Sequence, residues 1–216
     1  VAKMKHHLAR TIAALVISAS AATSLAACSS DDRTTEETQA SVDTQAAPES
    51  TAWVEGPAGL SYPVSDTAGP HNRGPVPSGF EHSPQGAVIA AITTQVFLAG
   101  ADDELWPEVP KTLVEPGEGR DQWSQARALM SVSGDPITTP PKFRGFKVND
   151  YSDTSAIVSL AAEYTNGVVA TMPVQLSHNS GDWKVVLPNQ EQAPDLTEIT
   201  EEELAADFTP FGPQEN

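Results

Sequence analysis

Residues 83–100 read SPQGAVIAAITTQVFLAG, the most uniformly apolar stretch outside the N-terminal leader. Ser83 can accept a hydrogen bond from the free N–H groups at a helix start, and Pro84 suits the first helical position because its missing N–H is not needed there. Apolar side chains recur at helical spacing and extend most of the way round: Val88, Ile89, Ala90, Ile92, Val96 and Ala99. The stretch therefore predicts a helix that ends at Gly100 and is buried against a sheet.

After Lys142 the apolar period changes from helical to alternating, which predicts antiparallel strands. Four segments follow this pattern: 143–151, 156–164, 168–176 and 183–187. Asn166-Gly167 predicts a two-residue type I′ hairpin because both residues accept a positive φ. Pro173 predicts a bulge or an edge in the third strand. The order of elements predicts an α+β fold, with N-terminal helices packed on a curved antiparallel four-stranded sheet and flanked by disordered tails.

Two further segments complete the predicted domain. A second helix is expected from about Asp121 to Val132, with Trp123 and Met130 on its inner side. Residues 53–80 are interrupted by Gly and Pro and predict an extended arm. Four large side chains are expected to pin this arm to the core: Trp53, Leu60, Tyr62 and Phe80.

The order of elements from Ser83 to Leu187 resembles the NTF2-like and cystatin-like group, in which a long helix lies in the cup of a bent antiparallel sheet. A second resemblance is local: GFEHSPQGAV at 79–88, WP at 106–107 and PGEGRDQW at 116–123 look like an uncharacterised actinobacterial family encoded within integrative and conjugative elements. NTF2-like domains are also subunits of conjugative type IV secretion systems. The resemblance therefore implies a structural role at the cell envelope.

Residues 1–27 have the pattern of an export signal, with a basic start, an apolar run and small residues before Cys28. The apolar run is shorter than the ~20 residues that span a bilayer. LAAC at 25–28 resembles the bacterial lipobox, and Cys28 is the only cysteine. The resemblance implies lipidation of Cys28 and stable anchoring on the extracytoplasmic face of the cell membrane. Ordinary cleavage beside an incidental cysteine is the alternative.

Composition divides the rest of the chain. Residues 28–52 are acidic and polar and predict a disordered linker, followed by a single α+β domain at 53–188. The segment 189–216 holds eight acidic residues and no Lys or Arg, which predicts a solubilising tail or, alternatively, an acidic peptide that docks on a basic partner. Three bases lie on the first predicted strand of the sheet, namely Lys142, Arg144 and Lys147. They predict a solvated edge or a contact strip for an acidic partner.

Charge and motifs exclude several functions. With 12 Lys plus Arg against 29 Asp plus Glu, the net charge of −17 disfavours nucleic acid as a partner. A single cysteine excludes a disulfide framework. Hydrolase elbows, phosphate loops and zinc-protease motifs are missing from the sequence. Outside the leader the histidines are His71, His82 and His178, far apart in sequence, so we predict no metal site, no cofactor and no catalysis.

One polar set stands out around the predicted helix starts. His82, Gln85 and Arg120 are candidates to line one mouth of the cup, beside Trp123, and to contact a ligand or a partner. Structural roles are the alternative: His82 would pin the start of the first helix, and Arg120 would pair with an acid of the arm such as Glu81.

These observations predict a lipid-anchored, non-catalytic envelope protein that acts through protein–protein contacts, as an accessory of a conjugative apparatus. A small-molecule or lipid-binding protein that uses the cup is the first alternative. An isomerase or cyclase is the second, with His82, Glu163 and Tyr164 as its candidate groups. The sequence leaves the partner and the oligomeric state open.

Overall fold

The computed structural model describes residues 42–214, so the predicted leader and Cys28 lie outside the described residues. The fold is α+β, as predicted, with a long helix packed on an antiparallel sheet. Its helices are α1 (Pro84–Gly100), α2 (Val109–Leu113), α3 (Glu118–Arg127) and α4 (Glu201–Asp207). Its strands are β1 (Thr51–Glu55), β2 (Ser61–Ser65), β3 (Lys142–Tyr151), β4 (Ser155–Glu163), β5 (Val169–Ser177), β6 (Lys184–Val185), β7 (Thr197–Ile199) and β8 (Thr209–Pro210).

Helix α1 is the centre of the domain and confirms the prediction for residues 83–100. The Ser83 hydroxyl accepts a hydrogen bond from the Gly86 N–H at 3.1 Å, and Pro84 occupies the first turn. Gly86 is required there because a Cβ would overlap the Glu81 carbonyl. The helix is buried nearly all round and contacts β2, α2 and strands β3 to β6.

The sheet has six strands, and the prediction of four was wrong. Its order is β6-β5-β4-β3-β8, and β7 also pairs with β5. The two additional strands, β7 and β8, come from the segment predicted as a tail. They are only three and two residues long, which is too short for an alternating pattern to be visible in the sequence.

The prediction that helices come first was also wrong, because a two-stranded hairpin of β1 and β2 precedes α1. It lies mostly within the predicted arm and pairs Trp53 with Pro63. Leu60 and Phe80 are buried, and Trp53 and Tyr62 pack against the core, so the predicted anchoring of the arm is confirmed. The linker was predicted to extend to residue 52, whereas β1 begins at Thr51.

The β4–β5 hairpin forms where it was predicted, but its loop is longer than two residues. Tyr164 donates its N–H to the Val168 carbonyl, and the Gly167 N–H bonds back to the Tyr164 carbonyl. Gly167 alone has a positive φ, of 77°. Strand β5 runs through Pro173 in unbroken register with β4, so no bulge forms there and the register shifts lie in β3 instead. On its other side, β5 pairs with β7 at residues 169–171 and with β6 at residues 176–177, so Pro173 lies at a local edge, which was the other predicted possibility.

The second predicted helix is shorter than expected. Helix α3 ends at Arg127 instead of Val132, because the chain turns outward there. Met130 was predicted on the inner side and is instead 60% exposed. The last predicted strand is also shorter, since β6 covers only Lys184–Val185.

The acidic C-terminal segment is folded onto the outer face of the sheet. Thr200 caps α4 in a reciprocal pair of hydrogen bonds with Glu203. Arg144 on β3 contacts Glu163 on β4 and Glu201 on α4, and Lys147 lies 3.8 Å from Asp207. Two of the three bases predicted to form a solvated edge or a contact strip for an acidic partner therefore pair with acids of this chain's own C-terminal segment.

Within residues 42–214, no helix combines the length and apolarity that crossing a bilayer requires. The main core lies between α1 and the inner face of the sheet. Its largest fully buried side chains are Trp183, Phe146, Ile89, Ile92, Leu113 and Leu176.

Candidate functional site

An apolar groove lies between the C-terminal half of α1 and one end of strands β3, β4 and β5. Its cavity has a volume of about 200 Å³. Its lining is almost entirely aliphatic and aromatic: Leu60, Gln95, Val96, Ala99, Pro141, Phe143, Leu160, Ala162, Tyr164, Ala170, Met172 and Leu196.

Strand alternation determines which residues face the groove. On β4, Leu160 and Ala162 point toward α1, whereas Ala161 and Glu163 lie on the opposite face. Small side chains at Ala162, at Ala170 on β5 and at α1 positions such as Ala99 leave the space that a larger residue would fill. The groove is therefore a consequence of side-chain size at paired positions, Ala162 and Ala170 being directly opposite each other.

Two polar side chains, Gln95 and Tyr164, lie among the apolar ones. Neither side chain makes a hydrogen bond to another residue within 42–214, so an amide and a phenol are available to a ligand. No charged side chain belongs to the lining. The groove is thus suited to an uncharged, mainly apolar molecule that carries a hydrogen-bonding group.

A second cavity of about 310 Å³ adjoins the first and shares four of its lining residues, namely Leu60, Val96, Pro141 and Phe143. It continues past Trp53 toward Pro213 and Gln214. The two cavities meet alongside Pro141, so a ligand longer than the first cavity has a mixed surface to follow, with Trp53 and Phe143 as well as Lys142 in the lining.

His82 lies at the start of α1, stacked on His178, and takes the structural role that the sequence allowed. The two imidazole centroids are 3.9 Å apart with an interplanar angle of 6°. His82 Nε2 also lies 2.6 Å from the Asp153 carbonyl oxygen, which joins the helix start to the β3–β4 turn. The Trp183 ring packs on both imidazoles.

The environment of this pair acts on the protonation of His178. Burial lowers the pKa of His178, the neighbouring His82 lowers it further, and Asp182 opposes the shift. The Asp182 carboxylate itself accepts the N–H groups of Gly79 and Phe80 at 2.7 and 2.8 Å. These contacts attach the arm to the turn before β6 and do not open onto the groove.

The structure does not bring the other predicted site residues together. The Gln85 amide donates to the carbonyls of Asp43 and Ala46. Arg120 lies 3.6 Å from the carboxylate of its neighbour Asp121, so the expected pairing with Glu81 was wrong. The Trp123 ring lies edge-on to Trp106. None of these side chains is among the groove's lining residues.

Of the three candidate catalytic groups, only Tyr164 lines the groove. Glu163 faces away from the groove and contacts Arg144. Within residues 42–214 there is no cluster of three or more His, Cys, Asp or Glu side chains able to hold a metal ion.

Sequence reasoning missed Gln95 as a site residue, although its place among apolar neighbours on a buried helix was visible. A polar side chain in such a position either finds a partner or lines a cavity. That signal was available without the structure.

Comparisons with known proteins give a family but no function. The family described as Domain of unknown function (DUF8175) matches residues 16–206. No curated protein matches the chain, and neither does any solved structure.

Proposed function

Because the chain belongs to the DUF8175 family, whose function is unknown, we propose a function from the groove itself. The protein is a non-catalytic binding protein, held outside the cytosol by a lipid on Cys28, whose domain takes up a small uncharged apolar molecule. The observation that carries this proposal is the apolar cavity of about 200 Å³ between α1 and the sheet.

The size of the cavity supports a small ligand. An apolar cavity of about 150 Å³ is known to accept benzene, so this one has room for a single ring system or a short alkyl chain. Such a ligand gains about 25 cal/mol for each Å² of apolar surface that it buries. Gln95 and Tyr164 would orient it by accepting or donating one hydrogen bond each.

The positions of the candidate catalytic groups support binding over catalysis. General acid–base catalysis needs a titratable group within hydrogen-bond reach of the reacting atoms. Glu163 is held by Arg144 on the far face of the sheet, and His82 is stacked at the N-terminal end of α1. Tyr164 therefore has no charged or basic partner in the groove lining.

The finer description of the fold as NTF2-like is part of the same proposal. A helix buried on one face of an antiparallel sheet supports it. The β1–β2 hairpin and the strands β7 and β8 would then be additions to that arrangement.

Fluorescence titration with 1-aminonaphthalene, an uncharged apolar probe with a single fused ring system, tests the groove. We expect saturable binding by the wild-type domain and at least a tenfold weaker affinity after Ala162→Phe, since the phenyl group fills the cavity. Ala99→Trp, at an exposed rim position, places a ring over the groove with less risk to the fold and is expected to weaken binding as well.

Ala52→Phe is the matched control, because Ala52 is exposed on β1 and is not part of the lining. Circular dichroism melts of every variant separate blocked binding from lost folding. The proposal is wrong if the probe does not bind the wild type, or if folded Ala162→Phe and Ala99→Trp variants bind it as well as Ala52→Phe does.

Anchoring at Cys28 is tested separately. We expect the full chain to fractionate with membranes and the Cys28→Ala variant to be released into the soluble fraction, because a diacylated cysteine is the proposed attachment. A variant that stays firmly in the membrane fraction would refute the lipid anchor and would leave the groove untouched.

Contact with other envelope proteins, including those of a conjugative apparatus, is the second candidate function. It is favoured by two adjacent apolar side chains that project into solvent after α3, Leu129 at 90% and Met130 at 60% exposure. This surface is independent of the groove.

A further inference from the structure

The turn that follows α3 carries large apolar side chains, and its backbone is held rigidly in place. Leu129 donates its N–H to the Ala126 carbonyl, and Met130 donates to the Arg127 carbonyl, so the backbone leaves the helix in tight successive turns. Leu129 and Met130 then point into solvent. Single exposed apolar side chains need no explanation, whereas adjacent ones that form a contiguous patch mark a candidate interaction site.

Arg127 supplies the rigidity of this turn. It is only 6% exposed, and its guanidinium donates to the carbonyls of Met130 and Ala101 at 3.2 and 3.1 Å. It lies 3.0 Å from an Asp103 carboxylate oxygen and 5.5 Å from the centre of the Trp106 ring. A buried cation with this many partners fixes the turn against the end of α1.

Asp103 also holds the turn in place, from the other side. Its carboxylate accepts the Ser131 hydroxyl at 2.6 Å and the Val132 N–H at 3.0 Å. The Ser131 and Val132 hydrogen bonds, with that of Arg127, lower the pKa of the Asp103 carboxyl. The apolar pair is thus held in place before any partner arrives, which reduces the ordering cost of association.

The surroundings of the pair are acidic. Asp102, Asp103 and Glu104 belong to the segment after α1 that the turn contacts through Ala101, Asp103 and Trp106. Gly134 lies so close to Asp102 that a Cβ there would come within 3.0 Å of it. Asp135 is exposed on the same segment. The one base among them, Arg127, is buried and paired, so the rim around the apolar pair carries net negative charge.

We propose that Leu129 and Met130 form the contact site for a protein partner that has an apolar recess bordered by Lys and Arg side chains. The acidic rim gives the complementary charge, and an anionic lipid surface would be repelled by it. The inference rests on the protein-contact role described above and is independent of the groove. In this contact site the apolar side chains lie at the centre and the charges at the edge, as in other protein interfaces.

Photocrosslinking in the native host tests the proposal. The full chain carries p-benzoylphenylalanine in place of Leu129 or, as a matched control, in place of Thr165, which is exposed at the tip of the β4–β5 hairpin. We expect a discrete polypeptide adduct from position 129 that is absent from position 165. Met130→Asp should lower its yield at least tenfold, because the recess would have to bury a charge.

Reversal of the rim charge distinguishes the proposed partner from other occupants. The double variant Glu104→Lys and Asp135→Lys is expected to lower the adduct yield at least threefold, whereas Ala162→Phe in the groove should leave it unchanged. The proposal is overturned if no adduct rises above the level at position 165, or if the adduct yield does not change on charge reversal. It is also overturned if the crosslinked species is a lipid or a second copy of this chain. Thermal melts of the purified variants establish that each is folded.

Discussion

The two faces of the sheet are covered in different ways. On the inner face, α1 buries large side chains such as Ile89 and Ile92 against strands β3 to β6. On the outer face, α4 places one leucine, Leu204, over Ala161 and Val169, with Ile199 and Phe208 packed beside it. Ion pairs join α4 to β3. One face is held by buried apolar area, and the other mainly by charge and a small apolar cluster.

This difference predicts different behaviour of the two layers that cover the sheet, namely the inner layer of α1 and the outer layer of β7, α4 and β8. Apolar burial depends little on salt and is shared by the whole core, so loss of the inner layer is loss of the domain. Partly exposed ion pairs contribute little and are screened by salt, so the outer layer is expected to open locally before the domain unfolds. The following variants test the contrast in order of expected effect.

Phe146→Ala should cause the largest loss. Phe146 is fully buried on β3 and packs edge-on to Phe211 at 5.8 Å, so its removal leaves a cavity in the main core. We expect the free energy of unfolding to fall by about 3–5 kcal/mol, as measured by urea titration with circular dichroism as the readout. Asn149→Ala, at an exposed position of the same strand, should cost about 1 kcal/mol or less. Equal losses would contradict the distinction between the two positions.

Leu204→Ala tests the outer layer. Its side chain is the only buried one on α4, and it contacts a small cluster that can partly collapse, so we expect a loss of about 2 kcal/mol. Hydrogen exchange should show the loss of protection confined to β7, α4 and β8, with α1 unchanged. Uniform deprotection of the whole domain would show instead that the outer layer is part of the cooperative core.

The inner layer was largely predictable from sequence, because its signals are local. The cap at Ser83, the apolar pattern of α1 and the alternation of β4 each lie within one short segment. Such patterns report burial directly, and here local propensity and tertiary packing agree.

The outer layer was not predictable in the same way. Arg144 and Glu201 are 57 residues apart, and their pairing depends on where the chain returns, which no local period encodes. The sequence did show a basic strip and an acidic segment, but the two were interpreted separately, as a solvated edge and a solubilising tail or, alternatively, as contacts for external partners, and not as partners of each other. The groove was missed for a related reason, since it follows from Ala162 and Ala170 lying opposite each other on paired strands.

Arg144→Gln should weaken the outer layer by about 1 kcal/mol, because the guanidinium is partly exposed and bridges Glu163 and Glu201. The hydrogen bond that Arg144 donates to Glu163 raises the pKa of Arg144, so the cation persists at every accessible pH. We expect the difference from wild type, measured by urea titration, to shrink between low and high salt. Lys147→Gln, which removes a single pair at 3.8 Å, is the matched control and should cost less. A salt-independent loss would show that packing of the Arg144 side chain, and not its charge, stabilises the outer layer.

The smallest effect on stability is expected from protonation of His178, which stacks on His82 at the start of α1. Burial and the adjacent His82 keep the pKa of His178 below its ordinary value of 6.5, while Asp182 opposes the shift. The unfolded chain therefore takes up a proton first as the pH falls. The stabilisation is complete above pH 6.5 and is lost as the pH drops below that value toward the lower pKa of the folded state. In His178→Phe, which keeps a flat ring against Trp183, the free energy of unfolding should fall less between about pH 7.5 and pH 5 than in wild type. Because carboxylates titrate mainly below this window, equal losses in the two proteins would mean that the stacked imidazoles do not couple protonation to folding.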